Sequence, residues 1–97
     1  MNQTIVQSIK ERRLLSFTYD GHPRVVEPHA HGITSTGKES LRCYQIRGSG
    51  VDPLGSPWHL MTISKMMNLT LMQETFSGPR PEYKKGDKHL LTILCEL

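Results

Sequence analysis

Two histidines two residues apart, His29 and His31, and a thiol at Cys43 are where metal or covalent chemistry would first be built. On an extended segment alternate residues share a face, so both rings would point the same way. Cys43 would then supply a third ligand of the kind zinc accepts. Pro28-His29-Ala30-His31-Gly32 also reads as a bend whose histidines face solvent or bond to backbone, and neither CxxC nor HExxH accompanies it. Cys43 beside a histidine would make a nucleophile–base pair, but a thiol flanked by apolar strand residues reads first as inert core. There is no GxSxG, P-loop or GxGxxG, and Gly48-Ser49-Gly50 lacks the following lysine and helix start of a phosphate cradle. No catalytic residue, metal ligand or cofactor is assigned, and the expectation is a protein that is not an enzyme.

Anion binding is better supported. Arg24, Arg42, Arg47 and Lys65 fall on or beside expected strands rather than in a solvated charged run. A guanidinium there can grip phosphate through two parallel N–H groups. Tyr19, Tyr44 and Trp58 are interleaved with them, and aromatic faces near arginine are what small barrels use to stack bases. The competing reading is structural: half-buried aromatics with exposed polar tips, and surface ion pairs of small energy.

The elements that must hold these residues are short. Ile5 and Ile9 lie four apart with Val6 beside them, which predicts a helix over about 3–12, with Lys10, Arg12 and Arg13 in its last turn. Leu15, Phe17 and Tyr19 alternate with Ser16 and Thr18 as a half-buried strand, and Asp20-Gly21 is a hairpin turn. A second strand is expected from His22 to Glu27, with Pro28 and Gly32 bending the chain after it. Ser35 to Lys38 reads as a turn, Glu39 to Arg47 as a third strand, and 48–57 as a loop. Trp58–Ile63 and Lys65–Met72 are one bent strand or two. Pro79-Arg80-Pro81 breaks regular structure, and Leu90–Cys95 is a last strand, at an edge or as an exchange element. Together these predict a mainly β fold: a small SH3/Sm-like antiparallel β-barrel of about five strands with one short N-terminal α-helix. The helix, a barrel over about 14–76 and a tail over 77–97 make one domain.

Composition agrees with that scale. Ninety-seven residues allow one domain with a modest core. The net charge of +3 suits an anionic partner without demanding one. No apolar run approaches the roughly 18 residues of a spanning helix, and the N-terminus lacks the apolar stretch of a signal peptide. A cytoplasmic location is therefore expected, with Cys43 and Cys95 reduced and no membrane partner.

The order of residues adds a resemblance. Leu15-Ser16-Phe17-Thr18-Tyr19-Asp20-Gly21, then Arg24-Val25-Val26-Glu27-Pro28-His29, resembles the opening of the WYL domain family. It continues through Leu41-Arg42-Cys43-Tyr44-Gln45 and Trp58 to Met66, and ends with Phe76, Pro79 to Tyr83, Gly86 and Asp87. The resemblance implies a stand-alone, regulatory Sm-like module that senses or binds a nucleotide-like or single-stranded nucleic-acid ligand, in bacteria or a phage. By position it implies ligand contacts at Tyr19, Arg24, His29, Arg42, Tyr44 and Lys65. Ser40-Leu41-Arg42 stands where the family has its name-giving triplet, and Thr62 and Ser64 replace an arginine and an aspartate. Loss of a bidentate donor there weakens an anion contact by about 1–3 kcal/mol. The alternative is an oligomerisation or regulator-partner module, in which the apolar LLTILC end or the cluster Met61, Met66, Met67 and Met72 meets a second chain.

Overall fold

Asn2 starts an N-terminal α-helix by accepting a hydrogen bond on its side-chain oxygen from the Ile5 N–H at 3.1 Å. In this computed structural model, which describes residues 2–50 and 55–97, α1 spans Gln3–Glu11. Ile5 and Ile9 are both buried, as their spacing requires. Arg12 ends the helix in the left-handed region, with φ 52°, and its N–H turns back to the Ile9 carbonyl.

The strands follow as β1 (Arg13–Tyr19), β2 (His22–Ile33), β3 (Glu39–Gly48), β4 (Trp58–Thr62), β5 (Met67–Thr75) and β6 (Thr92–Glu96). Asp20 and Gly21 both take positive φ, 52° and 76°, the geometry a two-residue hairpin needs to match strand twist. A 3-10 turn over Ile63–Lys65 separates β4 from β5, so the apolar run after Trp58 is two strands. Of the expected 48–57 loop, positions 51–54 lie outside the described residues.

All pairings are antiparallel, in the order β4-β3-β2-β1-β5, with β6 added to β2. Among the described residues β4 and β5 end the path without pairing to each other. Over the described residues the architecture is thus one six-stranded sheet, mainly β, with one short α-helix, and the sheet is not closed into a ring. Among the described residues no helix is long and apolar enough to cross a membrane.

One expectation fails on β2, which runs six residues past Glu27 through Pro28 and Gly32. Pro28 is tolerated because the ladder to β3 shifts register between Pro28 and Ala30, a bulge that relieves a strand of one regular hydrogen bond. Gly32 is where the β6 backbone comes closest: a Cβ there would run into the Thr92 carbonyl. The bulge also breaks alternation, so His29 and His31 reach different surroundings.

The helix covers one face of the sheet. Ile5 and Ile9 pack with Leu15, Phe17, Val26, Leu41, Cys43 and Met61. Each such side chain contributes about 1.5–3 kcal/mol on burial. The opposite face carries Glu27, Tyr44 and Trp58 in one cross-strand row, and the irregular segment after β5 lies over it.

Candidate aromatic and basic site

Register builds the floor of this site. Glu27 of β2 pairs with Tyr44 of β3, and Tyr44 pairs with Trp58 of β4. The Tyr44 and Trp58 rings meet edge-on at 5.2 Å. Arg42 precedes Tyr44 by two residues and so shares its face.

The chain beyond β5 supplies the rest. Arg80 donates from Nε and Nη2 to the two carboxylate oxygens of Glu27, at 2.8 and 2.9 Å. Its guanidinium also sits 4.0 Å from the centre of the Tyr44 ring. Tyr83 lies nearly parallel to Trp58, with ring centres 6.4 Å apart. Further along, Arg42 donates from Nε to Asp87 at 2.6 Å and from Nη2 to its other oxygen at 3.4 Å.

His29 ties the two layers together. Its ring is fully buried, with Trp58 at 4.8 Å, Tyr83 at 5.0 Å and Phe76 at 5.9 Å. Nδ1–H donates to the Glu27 carbonyl, which leaves Nε2 to accept from the Arg80 N–H at 3.1 Å. Burial pushes its pKa down, and this outweighs the bond to the Glu27 carbonyl and the Glu27 charge, which push it up. The Tyr83 hydroxyl is raised to about 12, first by burial and then by the nearby carboxylates of Glu96 and Asp87.

Between these walls is a cavity of about 470 Å³ lined by Arg42, Trp58, Tyr83 and the turn residues 84–89. Arg42, Lys84, Lys85 and Lys88 set four cations against the carboxylates of Glu82 and Asp87 at its rim. A pocket of a few hundred cubic ångströms with an aromatic wall and net positive lining suits one flat, anionic group. No family model, curated protein or solved structure matches this chain.

The six residues singled out in the sequence separate. His29, Arg42 and Tyr44 come together here, with Arg42 lining the cavity. Arg24 precedes Val26 by two residues on β2 and so shares the helix-covered face. It donates to Gln45 and to the Tyr19 carbonyl, and its guanidinium lies 5.4 Å from the Tyr19 ring. The Tyr19 hydroxyl accepts from the Thr62 N–H. Among the described residues, buried Arg24 Nε and His59 Nε2 have no hydrogen-bond partner on that side. Lys65 is exposed on the 3-10 turn.

The two histidines do not converge: His31 bonds the Glu39 carboxylate while His29 faces the aromatics. Among the described residues no group of three potential ligands surrounds a metal position. Glu27, Arg80, Tyr83 and Asp87 carry the site yet were not singled out for it. Their one sequence signal is a pair of prolines, Pro79 and Pro81, followed by Tyr83 and a basic run, dense in chemistry for a segment without regular structure.

Proposed function

We propose that this chain is a non-enzymatic binding module for a nucleotide-like anion or a single nucleic-acid strand, acting as a ligand-sensing part of a regulatory system. The observation that carries the reading is the Trp58–Tyr83 wall beside Arg42 and three lysines in one cavity. A base stacks on Trp58 while the phosphate meets Arg42, and exposed Lys84, Lys85 and Lys88 supply longer-range attraction. The resemblance to WYL domains supports the same ligand class, and the SH3/Sm-like grouping of the sheet belongs to this proposal. Tyr44 and His29 act beneath the ligand by fixing Trp58, and Arg24 and Tyr19 contribute on the other face only to the frame.

Titration of a 5′-phosphorylated thymidine hexanucleotide, followed by Trp58 fluorescence at several salt concentrations, tests this. Two neutralised phosphates give a log–log salt slope of about −1.4. Binding that ignores salt, or that survives Arg42→Ala combined with Lys85→Ala, contradicts the assignment.

A further inference from the structure

Arg42, the half-buried cation of the proposed site, is already occupied. Its Nε and Nη2 hold both oxygens of Asp87, whose side chain is only 8% exposed. Two N–H groups on two carboxylate oxygens is the arrangement a phosphoryl group would take. Burial alone would raise the Asp87 carboxyl, but bonds from Arg42 and from the His89 N–H outweigh it and hold the group below its usual range. Asp87 is therefore a monoanion at neutral pH.

The segment bearing Asp87 is irregular and meets the sheet through side chains rather than through a strand ladder. Residues 77–91 form neither helix nor strand. The segment is anchored at one end by Arg80 on Glu27 and at the other by buried Leu90. Between the anchors, Glu82 accepts from Trp58 Nε1 at 3.4 Å, and Gly86 N–H donates to Glu96 at 3.1 Å. The Arg42–Asp87 pair is the shortest of these central ties. Lys84, Lys85 and Lys88 are all exposed beside it.

A ligand anion and Asp87 compete for the same Arg42 donors, so charge decides between them. A phosphodiester carries one negative charge, the same as Asp87, and gains little by exchange. A terminal phosphomonoester carries about −1.5 to −2 at pH 7 and presents three oxygens. Resting on the binding function proposed above, we propose that Asp87 is an internal occupant of the anion site that only a terminal phosphomonoester displaces efficiently, and that its release frees residues 84–89 while Tyr83 stays on its wall. Asp87 thereby sets specificity for strand ends or mononucleotides over internal phosphates.

The test compares a 5′-phosphorylated with an unphosphorylated thymidine dinucleotide on the intact chain and on Asp87→Asn. The expected result is at least tenfold preference for the phosphorylated form in the natural chain. In Asp87→Asn both forms bind tighter and the preference narrows to a few-fold. Trypsin cleavage after Lys84, Lys85 or Lys88 quickens when the natural chain is saturated with the phosphorylated form, a readout that does not need the variant to fold. Equal binding of the two forms, or unchanged cleavage at saturation, overturns the exchange while leaving anion binding in place. No binding of either form overturns both.

Discussion

Replacing His29 with alanine is the sharpest probe of how this face is assembled. The ring is fully buried and touches Trp58, Phe76 and Tyr83, while Nε2 accepts from the Arg80 N–H. Truncating a buried aromatic ring to alanine costs about 3–5 kcal/mol, and imidazole belongs near the lower figure. Orphaning the Arg80 N–H adds about 1 kcal/mol. The sum, about 4 kcal/mol, is a large part of the roughly 5–15 kcal/mol that stabilises a domain of this size. At about 4–8 °C per kcal/mol the melting temperature falls by some 15–30 °C. Trp58 is the sole tryptophan, so its emission reports this face while circular dichroism reports the whole sheet. In His29→Ala the Trp58 emission shifts to the red before the sheet melts, because the segment after β5 loses its inner anchor. A loss under about 1 kcal/mol with unshifted emission refutes the claim that His29 joins the two layers.

Two further outcomes follow from ionisation. His29 and His59 both have folded pKa values depressed by burial, His59 also by the Arg24 charge, so the unfolded chain binds protons first. Stability is complete above about pH 6.5 and falls as pH drops from there towards the depressed values; His29→Gln makes that fall shallower, as urea titrations across this window will read. Cys43 is fully buried with its thiol pushed up to about 12, whereas Cys95 is half-buried. A disulfide reagent at mildly alkaline pH therefore labels Cys95 alone in the folded chain, and rapid reaction of two thiols contradicts the burial of Cys43.

What was legible in the sequence was what is decided locally. The Ile5–Ile9 stripe, the Leu15-Phe17-Tyr19 alternation and Asp20-Gly21 each depend on neighbours within a few positions. The fate of His29 was not legible, because a bulge is a count of one strand against its partner. Arg24 and Arg42 look alike in sequence, yet only the β2–β3 register shows that they sit on opposite faces. Segment 77–91 was hardest to read. Pro79 and Pro81 announce the end of regular structure, and nothing in that signal says that Arg80, Tyr83 and Asp87 pack onto the sheet.

The long strand β2 has two successive neighbours along one margin, β1 against its first half and β6 against its last four residues. The first partnership is a hairpin closed by two residues, the second spans some sixty positions of chain. Loop-closure entropy makes the hairpin cheap to form early and defers the other until most of the core has condensed. Thr92 to Glu96 therefore form a separately opening unit, whose amides gain protection last and surrender it first, while Ala30 to Ile33 stay paired with β3.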